Sequence, residues 1–155
     1  MRALVPPVFL LALLSACSGA DLACTAIGSR SGVSVDVDPA VAPKVDSGTL
    51  ELCWDGRCRT LDLELYPSTA AGETTCAGEV CSAQVRQTGG KHAFGDVLDL
   101  PLTEIQATLR LTGTESVTAT LPLTPEQTYP NGPGCGAGSP QQRLVVEASG
   151  TVRAG

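Results

Sequence analysis

The chain is poor in the side chains from which many functional sites are built. Its 155 residues include one histidine and one tryptophan, and aromatic residues make up 3% of the total. A single histidine excludes the histidine pair of a metalloprotease motif, and so few aromatics argue against a sugar-binding surface. No Gly-x-Ser-x-Gly elbow and no phosphate-binding glycine loop occur. We therefore expect a non-enzymatic protein with no catalytic residues, no metal and no cofactor.

The charge balance is acidic, because 16 aspartates and glutamates face 10 lysines and arginines, for a net charge of −6. Such a surface repels the phosphates of nucleic acids, so we expect no nucleic-acid partner. It does permit a cationic partner. An inhibitor of a cationic extracellular enzyme, such as lysozyme, is therefore one alternative function.

The one long apolar run lies at the N terminus, where Arg2 precedes the uncharged residues 4–14. A positive start followed by such a run is typical of a secretory signal peptide. A transmembrane helix needs about 20 apolar residues, and Pro6 and Pro7 interrupt this shorter run. We predict a signal peptide over residues 1–16 and no transmembrane anchor.

The apolar run ends in Leu14-Ser15-Ala16-Cys17, which resembles the lipobox of bacterial lipoproteins. The resemblance implies cleavage before Cys17 and attachment of diacylglycerol, with N-acyl lipid as a further addition, to that cysteine. Two acyl chains hold a protein firmly on a membrane. Residues 17–23 would then be a lipidated tether, and the protein would lie outside the cytoplasm on the cell membrane. Ser18 stands where lipoproteins that are retained in an inner membrane have aspartate. Location on an outer membrane is therefore an alternative where the host has one. Ordinary secretion is the alternative.

Assigning Cys17 to lipid leaves an even number of cysteines. Outside the cytosol the default use of six cysteines is three disulfides, although fifteen connectivities exist. Zinc binding by the two Cys-x4-Cys units is one alternative, and a thiol–disulfide redox protein is another. The six cysteines are Cys24, Cys53, Cys58, Cys76, Cys81 and Cys135.

Turn chemistry narrows the choice for one cysteine pair. Asp55-Gly56 is a preferred type I′ turn, and it lies between two runs of alternating residues. With these two residues as the loop, Cys53 faces Cys58 in a non-hydrogen-bonded rung, where Cα atoms lie about 4.5 Å apart. The same register places Leu50 opposite Leu61, so turn and hydrophobic pattern agree.

The second Cys-x4-Cys unit follows by analogy. Gly78-Glu79 could form a type II′ turn that pairs Cys76 with Cys81. Cys24 and Cys135 would then pair and tie the start of the domain to its last long loop. A crossed pattern between the two units is the alternative.

Residues 24–155 have the pattern of short strands with period-two alternation and turn residues between them. We predict an all-β fold, an antiparallel immunoglobulin-like β-sandwich of about seven to nine strands stapled by disulfides, with a small barrel as the alternative. The predicted strands and hairpins cover residues 33–37, 50–65, 80–87, 98–102, 105–123 and 144–152. The predicted loops cover residues 66–75, 89–90 and 124–141.

Weak motifs are spread over most of the chain. They are the lipobox, Cys-Thr-Ala-Ile-Gly from Cys24, the central Cys-x4-Cys hairpin and Pro-Asn-Gly-Pro-Gly-Cys ending at Cys135. In these the chain is similar to small immunoglobulin-like lipoproteins of unknown function in high-GC Gram-positive bacteria. The resemblance implies a fold and an anchor, and it supplies no catalytic residues.

The polar candidate residues are better explained as solvated side chains than as catalytic or metal-binding groups. His92 follows Gly-Gly-Lys, where a solvated loop histidine is expected. Asp36 and Asp38 alternate along a strand and share its solvent face. Asp62 and Glu64 do the same, and they are too close on one strand for a glycosidase pair.

Trp54, Arg57 and Arg59 lie around the tip of the central hairpin, on the face of the leucines. The predicted register lets Arg57 approach the indole for a cation–π contact. Tryptophan and arginine are enriched at binding hot spots, although a tryptophan in this place often caps the core. We treat these residues as a candidate binding surface for an unidentified protein partner. The leading hypothesis is a lipid-anchored, non-catalytic interaction or cell-envelope module that acts through its loops or an edge strand.

Overall fold

A computed structural model describes residues 23–155 of the chain. The predictions for the signal peptide, the lipobox and Cys17 therefore lie outside the described residues. Within residues 23–155, no helix has the length and hydrophobicity to cross a membrane. The fold is all-β, as predicted, with two 3₁₀ turns at Ala42–Lys44 and Pro133–Cys135.

The described residues form ten strands, of which two are very short. They are β1 (Gly32–Val37), β2 (Val45–Trp54), β3 (Arg57–Leu63), β4 (Tyr66–Ala77), β5 (Val80–Asp96), β6 (Ile105–Gly113), β7 (Val117–Leu123), β8 (Glu126–Gln127), β9 (Pro140–Val146) and β10 (Val152–Ala154).

The strands make two sheets. The larger sheet has the order β10-β9-β1-β5-β4, with β8 on the remaining part of β9, and the smaller sheet has the order β3-β2-β6-β7. β1 pairs with β9 in parallel, so the larger sheet is mixed rather than purely antiparallel. Every other strand pair is antiparallel within residues 23–155.

One apolar cluster joins the inner faces of the two sheets. Val33, Val35 and Leu144 of the larger sheet are fully buried, together with Leu50 and Leu109 of the smaller sheet. The alternation of apolar and polar residues along the strands produces this buried cluster, because every second side chain of a strand points to the same face. Burying one such valine or leucine stabilises the fold by roughly 1.5–3 kcal/mol.

The β2–β3 hairpin has the predicted register. Cys53 is opposite Cys58, and Leu50 is opposite Leu61. Asp55 and Gly56 both have positive φ, 49° and 71°, as a type I′ turn requires.

The three disulfides join the cysteines in the favoured pairs. Cys53 bonds to Cys58 and Cys76 bonds to Cys81, each with Cα atoms 4.0 Å apart. Cys24 bonds to Cys135, 111 residues away in sequence, and ties the start of the domain to the long loop before β9.

Two predicted boundaries on the larger sheet are wrong. Residues 66–75, predicted as a loop, belong to β4, and the predicted break at Gly89-Gly90 lies inside β5. A Cβ on Gly90 would lie 2.7 Å from the carbonyl oxygen of Val37, so glycine here lets β5 approach β1 closely. These glycines permit strand pairing rather than ending it.

The predicted edge strand at residues 98–102 is also wrong, because this segment is a turn between β5 and β6. Leu100 is buried, whereas Leu98 is 94% exposed and Leu102 is 50% exposed. The predicted last strand divides into β9 and β10 at a turn that contains Gly150, whose φ is 82°.

The sandwich has two distinct ends. The tether end consists of segments 23–31, 55–56, 97–104 and 124–139, which join the strands on the side where Gly32 pairs with Asp96 and Gln141. Arg59 near the hairpin tip forms an ion pair with Asp99 at 2.7 Å, which ties β3 to the turn between β5 and β6. The far end consists of segments 38–44, 64–65, 114–116 and 147–151.

Candidate functional site

β4 and β5 extend beyond the far end as a two-stranded arm, which we define as residues 69–87. Its pairing runs from Thr69 opposite Gln87 to Ala77 opposite Val80. Every side chain from residue 73 to residue 89 is exposed, so the outer arm has no core on either face.

Two local devices hold the arm together. Gly78 has a φ of 64° while Glu79 does not have a positive φ, the combination that a type II′ turn requires. The disulfide between Cys76 and Cys81 closes the ladder next to this turn. Because two-stranded ribbons are marginally stable in water, we infer that the disulfide is needed to keep the arm formed.

The surface of the arm is small, mostly uncharged and slightly apolar. Val80 and Val85 are both 74% exposed, and they lie on opposite faces because they are five residues apart on one strand. β4 is the last strand of its sheet, so one of its edges has backbone groups available for pairing. Register irregularities after Pro67 and Ala71 divide this edge into short segments. The charged arm residues are Glu73, Glu79 and Arg86.

A polar row crosses the outer face of the larger sheet. The strand registers align Arg153, Val145, Asp36, His92 and Tyr66 on five neighbouring strands. The rings of Tyr66 and His92 have centroids 6.1 Å apart. A hydrogen bond with Glu64 raises the pKa of Tyr66 above its ordinary value, and desolvation adds to the shift.

The polar row does not form a catalytic triad. His92 Nδ1 lies 3.4 Å from the hydroxyl of Ser68, beyond the distance of a good hydrogen bond. Asp36, the cross-strand neighbour of His92, instead accepts a hydrogen bond from Arg143 Nε at 2.6 Å. His92 is exposed as predicted, but it lies in strand β5 and not in a loop.

Beside this row, Arg30 covers Phe94. The guanidinium carbon is 4.4 Å from the ring centroid, and Nε donates to Asp96 at 2.9 Å. The hydrogen bonds and charge of Arg30 hold the pKa of Asp96 below its ordinary value. Stacking and ion pairing therefore fix Arg30 in place across the end of β5.

A cleft of about 540 Å³ lies between the polar row and the far end, with Asp36, Lys91, Arg143, Glu147 and Arg153 in its walls. Its arginines already have carboxylate partners. Arg143 pairs with Asp36, and Arg153 pairs with Glu147 at 2.7 Å. An anionic ligand would have to displace these carboxylates, so the cleft is a poor anion site.

The hairpin tip differs from the prediction in one contact. Arg59, and not Arg57, lies over Trp54, with its guanidinium carbon 5.8 Å from the ring centroid. Both arginines are exposed, and the ion pair with Asp99 holds Arg59 in this diagonal position. Trp54 is half-buried and packs against the edge of the core, so it caps the tether end.

The remaining acidic candidates are structural or solvated. Asp38 accepts a hydrogen bond from the Ala40 N–H at 2.8 Å, as in a turn, and Asp62 and Glu64 are exposed. Within residues 23–155, no group of three or more histidine, cysteine or acidic side chains could hold a metal ion. The zinc alternative has no thiolates to use, because both Cys-x4-Cys units are disulfides.

Sequence reasoning found one strand of the arm and missed the other. Residues 80–87 were predicted as a strand and belong to β5, whereas residues 66–75, predicted as a loop, belong to β4. The threonines and alanines of β4 have no large apolar residues in alternation, so they resembled a loop.

Comparisons with known proteins do not assign the chain to a family. The chain matches no protein-family model, no curated protein and no solved structure.

Proposed function

We propose that the protein is an extracytoplasmic lipoprotein, anchored by lipid on Cys17, that acts as a non-catalytic interaction or cell-envelope module. The observation that carries the proposal is the use of the cysteines. All six cysteines of residues 23–155 form disulfides, which is the expected state outside the cytosol. Cys17, which lies outside the described residues, is the last residue of the predicted lipobox Leu14-Ser15-Ala16-Cys17.

The arm is the proposed interaction element. Its strands span nine residues beyond the sandwich, or roughly 30 Å at 3.3 Å per residue. The Cys24–Cys135 disulfide holds the start of the domain at the opposite end. A protein partner can therefore reach the arm without contact with the anchored end, and the edge of β4 offers backbone groups for strand addition.

An immunoglobulin-like fold class and kinship with small immunoglobulin-like lipoproteins of high-GC Gram-positive bacteria belong to the same proposal. The support is the two-sheet arrangement with its buried inner faces. The absence of an assembled triad at His92 supports the non-catalytic part.

Fractionation of cells that express the full chain tests the anchor. We expect the wild-type protein in the membrane fraction as the processed chain, and the Cys17→Ser variant either in the soluble fraction or at the mass of the unprocessed precursor. A Ser18→Ala variant is the matched control and should behave as wild type. A Cys17→Ser variant that is processed and still associates with the membrane would contradict the proposal.

Thiol–disulfide exchange at the arm tip is a second candidate, favoured by the exposure of both Cys76 and Cys81. An attacking thiolate needs such access. A glutathione redox titration of the full chain decides this point. An arm disulfide that does not exchange in glutathione buffers would remove the redox candidate.

A further inference from the structure

Exposed apolar side chains are concentrated at the tether end. Seven large apolar or tyrosine side chains in residues 23–155 are exposed. Four of them belong to the segments of the tether end, namely Ile27, Leu98, Leu102 and Tyr129. Such a concentration is a feature of surfaces that meet another phase or partner.

The segment between β5 and β6 presents its leucines through a fixed turn. Leu100 is buried in the core, and its N–H donates to the carbonyl oxygen of Val97 at 3.3 Å. Leu98 and Leu102 lie two residues to either side and point outward, with exposed fractions of 94% and 50%. Their exposure is therefore built into a segment that the core anchors.

The length of the tether places a membrane near this end. Cys24 follows Cys17 by seven positions, and a fully extended chain of that length spans at most about 25 Å. Cys24 is fixed to the tether end by its disulfide with Cys135. Lipid on Cys17 would hold Cys24 within that distance of the bilayer surface, at the end of the sandwich that carries the exposed leucines.

Charge and aromatic placement agree with an approach to lipid. Asp99 and Asp96 are paired with Arg59 and Arg30, whereas Asp55, Glu104 and Glu126 of the same end are in no ion pair within residues 23–155. This charge favours docking on zwitterionic lipid over docking on anionic headgroups. Trp54 lies at the same end, and amphipathic rings favour the interface between headgroups and acyl chains.

We propose that the tether end docks on the bilayer that carries the Cys17 lipid, with Leu98 and Leu102 entering the headgroup boundary and the arm directed away from the membrane. The inference rests on the proposed lipidation of Cys17. It adds a second, non-covalent contact that orients the domain.

Trp54 is the one tryptophan of the chain, so its fluorescence reports on this end alone. The processed lipoprotein, purified from cells with its mass determined, is placed in phosphatidylcholine vesicles whose acyl chains carry bromine or a nitroxide. We expect the labelled lipid to quench Trp54. In L98S/L102S the docking equilibrium should fall on the order of a hundred-fold, and the quenching should largely disappear. The matched control is V80S/V85S, which removes two exposed apolar side chains from the arm and should leave the quenching unchanged.

The outcomes separate docking from anchoring. A protein with lipid on Cys17 but without quenching refutes docking and leaves the anchor intact. Equal quenching in wild type and L98S/L102S also refutes docking through the leucines. A protein without lipid overturns the proposed function and docking together.

Discussion

Removing each of the two hairpin disulfides should have different consequences, although both close loops with a sequence separation of 5. The chain-entropy relation gives roughly 2 kcal/mol for a loop of this length. The β2–β3 hairpin contributes Leu50, Leu52 and Leu63 to the core, so it unfolds with the domain. We expect C53S/C58S to lower the global free energy of unfolding by about 2 kcal/mol.

The arm buries no comparable side chains, so its opening need not involve the core. We expect C76S/C81S to change the global free energy of unfolding by less than about 0.5 kcal/mol, because the arm opens locally. Urea unfolding measures the global term, and amide hydrogen exchange of residues 69–87 measures the local one. In C76S/C81S the arm amides should exchange fast while those of β6 stay protected. Equal global losses in the two variants would refute the division between arm and core.

Three further predictions concern single features. Gly90→Ala should destabilise the domain by about 1–3 kcal/mol because its Cβ meets the Val37 carbonyl, whereas Gly28→Ala, with nothing within 4 Å, should be neutral in urea unfolding. Asp96 should titrate below its ordinary pKa in carboxyl NMR, and Arg30→Ala should raise that pKa. The ion pair therefore favours the fold above the unfolded-state pKa of about 3.9 and is lost as pH falls through the lower folded pKa. If the protein were an inhibitor of a cationic enzyme, a column of immobilised protein would retain lysozyme at low salt. We expect no retention.

Local sequence patterns predicted the strand register correctly where a turn sequence lies between two strands that each bury one face. Asp55-Gly56 specified a turn, and the alternation on both sides specified which residues face the core, so register and disulfide followed together. The β6–β7 hairpin is similar, with Leu111 opposite Val117 across a short turn, as the mirrored apolar pattern indicated.

Signals failed where strands do not bury apolar side chains or where contacts are non-local. The β4 strand of the arm consists mainly of small residues, so nothing in its composition separated it from a loop, whereas residues 80–87 of β5 were correctly predicted as a strand. Alternation at Leu98, Leu100 and Leu102 predicted a strand, but Pro101 and the missing neighbour strand leave this segment as a turn. The parallel pairing of β1 with β9 joins residues more than 100 apart, which no local pattern shows.

For the candidate functional residues, too, local sequence predicted some positions, and tertiary contacts decided the others. Turn geometry predicted the position of Trp54, but not that Asp99, 40 residues from Arg59, would hold Arg59 over the indole in place of Arg57. The exposure of His92 followed from its polar neighbours. Its strand location depended on the close packing of Gly90 against β1, a tertiary contact.

Intact mass of the cell-purified protein, before and after reduction under denaturing conditions, tests the central claim most directly. We expect a chain that begins at Cys17, carries the mass of diacylglycerol or of diacylglycerol plus one acyl chain, and gains two hydrogens for each of three disulfides on reduction. A chain with unmodified Cys17, or one whose mass does not change on reduction, would contradict it.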